Sequence, residues 1–491
     1  SSHTSGVIGF VDRKNDSHNQ DNNKRTIANA AAIVQNGDVR GIYHKSFLPN
    51  YSVFDEARYF SKGTEPNTLF WYDDIAIGIN ICEDIWIEDG PAEEQVKQGA
   101  SLIININASP YDIHKSETRK EIVMKKALKL NVPIIYLNMV GGQDELVFDG
   151  GSFVVNDLGE IIYQASSFKE EVFHLDIDLK TNKQNDKSPL IIRPKTIELK
   201  DVESKASLSK NESIYSALKL GLKDYVRKNK FTKVLIGISG GIDSALTAAI
   251  CVDALGAENV IGVAMPSKYN SKDSLDDAIK LSDNLGITLK TIEIEKLVDD
   301  FRETLTNSLN EDLGQITDEN IQSRVRGNIL MGLSNQTGAM VVSTGNKSEM
   351  AVGYSTLYGD LAGGFALIKD LYKTKVYELS NYINSISDAI PKNIITKEPS
   401  AELRPNQFDS DSLPDYEVLD KILNLYIEED SSSEKIIASG VDPNLVFDVL
   451  EKVDRNEYKR KQVAPGVKLT QKAFGKDRRM PITNTYIRQK E

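Results

Sequence analysis

The stretch from Lys233 to Ala249, KVLIGISGGIDSALTAA, constrains the fold more than any other. Val234, Leu235, Ile236 and Ile238 form a short apolar run, as in a parallel strand covered on both faces. Gly237, Gly240 and Gly241 allow a sharp turn in which bare backbone approaches a ligand. Asp243 and Ser244 then open a helix that continues through Ala245, Leu246 and Ala248. A turn at a helix N-terminus presents unpaired N–H groups and the positive end of the helix dipole, which together suit a phosphate. Ser239 and Ser244 add hydroxyls, and Asp243 is placed to hold the metal ion that a polyphosphate brings. The loop has no GxxxxGK[ST] spacing, so it is not the common nucleotide P-loop.

The chain has 491 residues, room for two to four domains. Its net charge of −13 argues against a general nucleic-acid surface. No apolar run is long enough for a membrane span and no signal peptide is visible. Cys82 and Cys251 are the only cysteines, which fits a reducing, cytoplasmic setting without a disulfide framework. Cys251, inside the helix after the glycine loop, reads as packing.

Taken in order, GVIGFV (6–11), IANAAAIV (27–34), IAIGINIC (75–82), SLIININ (101–107) and VPIIYLN (132–138) read as strands. Residues 94–100 and 118–130 read as helices, and 145–166 as a hairpin turning at Asp157-Leu158-Gly159. The polar stretch from Lys180 to Asn211 is a boundary, with LIIRP (190–194) as an extended strap. Beyond a helix over 213–227, strands at 234–238, 260–266, 288–295 and 339–346 alternate with helical patterns. That alternation predicts a doubly wound parallel sheet with ligands at the strand carboxyl ends. Residues 410–433 and the basic tail after Tyr458 read as less regular. The expected domains are 1–178, a linker over 179–210, and 211–491.

Cys82 closes a strand and is followed by Glu83, Asp84 and Trp86. Lys45, in KSFLPNYSVFDEARYF, is a candidate to lower the thiol pKa and to face a developing oxyanion, with the Glu83 N–H as a second donor. Glu56 supplies a carboxylate eleven residues beyond Lys45. In the second half, helix 319–331 carries Asn320, Arg324 and Arg326, and the segment 343–360 carries Thr344, Glu349 and Gly353-Tyr354-Ser355-Thr356. Asp243 and Glu349, from separate strand ends, are a candidate Mg²⁺ pair. MPSKYNSKDS (265–274) marks another strand end, and Lys373, EPSAELRP (398–405) and Lys459 are further candidates.

The loop at 239–244 resembles the pyrophosphate loop of the ATP pyrophosphatases. K-x-x-L-P-N-Y-x-V-F-D-E-x-R-Y-F and I-C-E-D-x-W resemble the nitrilase-like glutaminase domain of the glutamine-dependent NAD synthetases, and the likeness runs over nearly all of the chain. It implies an α/β protein in which a nitrilase-like αββα sandwich precedes a doubly wound nucleotide-binding domain. It implies that Lys45 and Cys82 are catalytic, with Glu56 in support, and that Tyr51, Ser109 and Lys115 hold glutamine. The ATP contacts it implies are Gly237, Ile238, Ser239, Gly240, Gly241, Ile242, Asp243, Ser244, Thr344, Lys373 and Ser400. Deamido-NAD falls to Asn320, Arg324, Glu349, Tyr354, Ser355, Thr356, Leu357 and Lys459, and Mg²⁺ to Asp243 and Glu349. The implied reaction consumes ATP, deamido-NAD and glutamine or ammonia, in a homo-oligomer. The family's third triad member, a Glu just past an early strand, lies upstream of anything resembling GVIGFV. The expectation is therefore a domain lacking its opening strands, with impaired glutamine hydrolysis and an intact ammonia-using half. Another ATP pyrophosphatase with a different acceptor, or an inert scaffold, are the competing readings.

Overall fold

The computed structural model describes residues 4–13, 27–66, 68–72, 74–179 and 204–485. The chain divides into two compact units, Ser1–Gly141 with Phe148–Leu208, and Gly142–Val147 with Ser209–Glu491.

The first unit is built on apolar strands that pair in two sheets. β1 (Ser5–Arg13), β2 (Ile27–Gln35) and β3 (Asp38–His44) form an antiparallel sheet. A six-stranded sheet follows the order β11-β10-β7-β6-β5-β4, using β4 (Leu69–Tyr72), β5 (Ile75–Ile81), β6 (Leu102–Asn107), β7 (Ile134–Asn138), β10 (Phe153–Val155) and β11 (Ile161–Gln164). β5, β6 and β7 run parallel, and the outer strands add antiparallel edges. Ala31, Ile33 and Tyr43 from the small sheet pack on Ile79, Ile81 and Cys82 of the large one. The short helix α1 (Glu56–Tyr59) follows the small sheet. On the far face, α2 (Pro91–Lys97) and α3 (Lys115–Leu130) bury Ala92, Val123 and Ala127. The parallel strands therefore bring Cys82, after β5, and Ser109, after β6, to the same end of the sheet.

Two expectations change here. The stretch 145–166 is not one hairpin: β9 (Leu146–Asp149) pairs with β8 (Val140–Gln143), and only β10 and β11 turn at 157–159. Strands β3 and β4 were not expected, because DVRGIYH and LFWY are short and interrupted by charge or bulk. The LIIRP strap lies outside the described residues.

In the second unit α4 (Lys210–Lys228) is capped by Ser209, whose side chain accepts from Glu212 N. Five parallel strands lie in the order β14-β13-β12-β15-β16. They are β12 (Val234–Gly237), β13 (Val260–Ala264), β14 (Thr288–Thr291), β15 (Met340–Ser343) and β16 (Phe365–Ala366). α5 (Ile242–Leu255) and α6 (Lys272–Leu285) carry the chain outward from β12; α7 (Glu295–Leu309) and α8 (Gln315–Thr337) bring it back to β15. The direction reverses between β12 and β15, which opens a crevice at their carboxyl ends. The strand expected over 288–295 stops at Thr291, and Glu295 begins α7. β14 is an edge, and Ile292 and Ile294 reach the sheet only through single bonds to Ala264 O and Pro266 O. Residues 410–433 are also more ordered than expected: Tyr416–Leu423 is helical and buries Leu419, Ile422 and Leu423. Cys251 is buried as packing in α5.

Candidate active sites

In the first unit β5 ends at Ile81, and the buried Cys82 turns with φ +46°, in the left-handed region. Lys45 follows β3 and is 1 % exposed; its Nζ donates to both Glu56 oxygens, at 2.7 and 2.8 Å. Burial pushes the Cys82 thiol up to about 11, and Lys45 pulls against that shift. Tyr51 is exposed, and its hydroxyl donates to Glu83 at 2.9 Å. Lys115 begins α3 with its ammonium 4.3 Å from the centre of the Trp86 ring, and burial lowers its pKa. Ser109 is buried; its hydroxyl accepts from Arg119 Nε at 3.1 Å and its N–H donates to Asn138. Thiol, ammonium and the N–H after the nucleophile are the parts of an acyl-transfer site. Sequence reading passed over the buried Arg119–Asp149 pair at 2.7 Å, which fixes the Ser109 loop; no local motif marks it.

In the second unit a cavity of about 630 Å³ opens at the β12/β15 switch. The loop 237–243 forms one wall through Gly237, Ile238, Ser239, Gly241, Ile242 and Asp243. Gly240 (φ +77°) turns away: a Cβ there would stand 2.2 Å from Ser274 O, so the loop needs glycine to pack on α6. Ser244 is buried, and its hydroxyl donates to Gly241 O at 2.9 Å, so it braces the loop. Asn346, whose Nδ2 donates to Asp243 at 2.9 Å, caps α9 (Lys347–Val352), which carries Glu349. Lys373 opens α10 (Lys373–Ser387) and joins the two carboxylates, at 2.5 Å to Asp243 and 3.5 Å to Glu349. Burial, then the nearby Asp243, raises the Glu349 pKa to about 8. Burial pulls the Lys373 pKa down, but Asp243 and Glu349 outweigh it and the net shift is upward.

Thr344, Asn320, Tyr354, Ser355, Thr356, Ser400 and Lys459 also line this cavity. Asn320 accepts from the Thr356 hydroxyl at 2.7 Å. Lys459 donates to Gly353 O and Ser355 O, at 2.6 and 2.8 Å. Ser400 braces its own loop by donating to Gln407 O. Arg324 and Leu357 are not on the lining: Arg324 is exposed and donates to Leu357 O at 3.2 Å, and it lies two residues before the cavity-facing Arg326, about 200° round α8. Of the 265–274 segment, Met265, Pro266, Asn270 and Ser274 line the cavity while Lys268 pairs with Glu295. Asp409 and Lys397 line it too and were missed, since an isolated Asp or Lys in a polar loop carries no pattern.

No cluster of three or more His, Cys, Asp or Glu side chains arranged to hold a metal occurs among the described residues. The expected pair, Asp243 and Glu349, does present hard oxygen donors around one buried ammonium. That set suits a Mg²⁺ whose remaining ligands are phosphate oxygens and water.

Residues 214–463 match the NAD synthase family and residues 3–185 the carbon-nitrogen hydrolase family. The glutamine-dependent NAD(+) synthetase of Aquifex aeolicus is 47% identical over 94% of this chain and 84% of its own length. This chain belongs to the glutamine-dependent NAD(+) synthetases. The Thermotoga maritima synthetase is likewise 47% identical, over 98% of this chain and 85% of its own. Among solved structures, the Acinetobacter baumannii synthetase in complex with ADP is similar at TM-score 0.72 and 43% identity, covering 97% of this chain and 84% of that one. The expectation of an impaired glutaminase half in this synthetase is not borne out by these comparisons. Among the described residues no helix of the synthetase is long and apolar enough to cross a membrane.

Proposed function

We propose that this chain makes NAD by ATP-dependent amidation of deamido-NAD, with ammonia from glutamine hydrolysis or from free ammonium. The observation that carries the reading is the Asp243–Lys373–Glu349 cluster, which joins the loop at 237–243 to α9 and α10 on the wall of one cavity. In this reading residues 1–178 form the amidase, 179–210 the linker and 211–491 the synthetase, working in the cytoplasm as a homo-oligomer.

In the amidase, the Cys82 sulfur attacks the glutamine amide carbon to form a thioester and release ammonia, and water then frees glutamate. Lys45, oriented by Glu56, lends positive charge to the thiolate and faces the oxyanion. Tyr51 and Lys115 hold the amino acid at the rim, and Ser109 shapes the pocket floor through its bond to Arg119.

In the synthetase, the nicotinate carboxylate attacks the α-phosphorus of ATP, forming an adenylate and releasing pyrophosphate. Ammonia adds to the adenylate carbonyl, AMP departs, and the nitrogen loses a proton to leave the amide. The N–H groups of the 239–244 turn receive the phosphates, and Lys373 sits where charge builds on them. Asp243 and Glu349 would hold the Mg²⁺, which supplies charge neutralisation between phosphates and carboxylate. Asn320, Tyr354 and the 353–356 turn, pinned by Lys459, position deamido-NAD. Arg324 and Leu357 reach it only from outside this cavity.

Pyrophosphate release measured with a panel of carboxylate acceptors tests the reading. Deamido-NAD is the expected acceptor; turnover with another acceptor and none with deamido-NAD would overturn it in favour of a different ATP pyrophosphatase.

A further inference from the structure

Asp84 lies two residues past the nucleophile, is 0 % exposed, and has no part in the chemistry above. Its Oδ1 accepts from the backbone N–H groups of Ser46 (3.1 Å) and Phe47 (2.8 Å). Its Oδ2 accepts from the Tyr43 hydroxyl (2.9 Å) and from Ile81 N–H (3.1 Å). A buried carboxylate is costly unless its oxygens are satisfied, and here four donors converge on it. Their positions are informative. Tyr43, Ser46 and Phe47 bracket Lys45 on both sides, while Ile81 directly precedes the left-handed turn at Cys82. One side chain thus ties the cation's backbone to the nucleophile's backbone, although the two segments lie about forty residues apart in sequence. Each segment has its own supports, Lys45 through Asn29 O and Gly63 N–H and both through shared apolar packing, but Asp84 is the side chain that bonds to both. Lys45 spends its side chain on Glu56, and Cys82 sits in a conformation that needs outside support.

We propose that Asp84 is a positioning residue for the amidase thiol: it sets the separation of Lys45 from Cys82, and so the acidity of the sulfur. The proposal rests on the amidase reading of Cys82 and Lys45. A bond network that served only cohesion would change stability when broken but leave the thiol's acidity alone. Burial raises the Asp84 pKa to about 6, although the donors from Phe47, Ile81 and Tyr43 act to lower it.

The test is the rate of Cys82 alkylation by iodoacetamide on the full-length chain between pH 7 and 9.5. Mass spectrometry keeps the buried Cys251 out of the count. Asp84→Asn turns an acceptor toward two donors into a donor. It is expected to slow alkylation at pH 8 about tenfold, as Lys45→Met does, and the double variant is expected to be no slower than either alone. Asp84→Asn within twofold of wild type, or a double variant slowed by the product of the two single effects, would overturn the proposal. Tyr43→Phe removes one donor and keeps the carboxylate; it is expected to slow alkylation two- to threefold. If Asp84→Asn does not fold, an unchanged rate in Tyr43→Phe is the overturning result. Unchanged alkylation in Lys45→Met would be a different failure, that of the lysine's role in the amidase itself, and the proposal would fall with it.

Discussion

Both sites are organised around a buried lysine, yet the two lysines are set among different charges. Lys45 meets one carboxylate, Glu56, and a neutral thiol. Lys373 lies between two carboxylates, Asp243 and Glu349, at unequal distances. In the first unit the ammonium's field is left over for the sulfur and for an oxyanion. In the second the carboxylates outnumber the cation, and burial, with Asp243 adding to it, raises the Glu349 pKa to about 8. The second arrangement calls for another positive charge.

The largest effects come from splitting the two sites. Cys82→Ala is expected to lower glutamine-driven NAD formation by about a thousandfold or more while the ammonium-driven rate stays at wild-type level. Asp243→Asn is expected to lower both by at least about a hundredfold. Parallel assays with the two nitrogen donors check both, and an ammonium rate that falls with Cys82→Ala would erase the distinction.

Stability gives the next contrast. Lys373→Met strands two partly buried carboxylates and is expected to cost about 3 kcal/mol by urea unfolding. Lys45→Met is expected to cost nearer 1 kcal/mol, because it leaves one carboxylate, Glu56, without its ammonium rather than two. Equal losses would mean that the surplus charge at the second site has no energetic weight.

The pH dependence follows from Glu349. Its folded pKa, about 8, stands above the ordinary 4.5, so the folded chain holds the proton more tightly than the unfolded one. The stability it contributes is full below pH 4.5 and is lost as pH rises toward 8. Cation binding needs the ionised form, so Mg²⁺ affinity by calorimetry is expected to rise between pH 6 and about 8 and then level off. Glu349→Gln is expected to flatten the curve. The smallest effect is at the amidase rim, where Tyr51→Phe loses only the exposed bond to Glu83 and is expected to raise the KM for glutamine about threefold.

Much of the second unit was legible in the sequence. Its parallel strands are continuous apolar runs, and its loop combines glycine, hydroxyl and carboxylate within eight residues. Where the signal thinned, the reading slipped. β14 is an edge strand, and TLKTIEIE looks like a longer strand because Ile292 and Ile294 alternate with Glu293 and Glu295 after pairing has stopped. Arg324 and Arg326 differ by two positions on one helix, and the face each takes depends on packing that spacing alone does not reveal. At the amidase, Lys45 and Cys82 sit in dense motifs, whereas Arg119 and Asp149 are thirty residues apart and meet only through the fold.

The left-handed backbone at residue 82 restricts how this nucleophile could be exchanged. A second heavy atom on Cβ crowds the neighbouring carbonyl in that region, so threonine, which serves as a nucleophile elsewhere, is barred from this bend. Serine is the one hydroxyl replacement that keeps the local path, and selection for new amide substrates has to work through the rim rather than through the attacking atom's side chain.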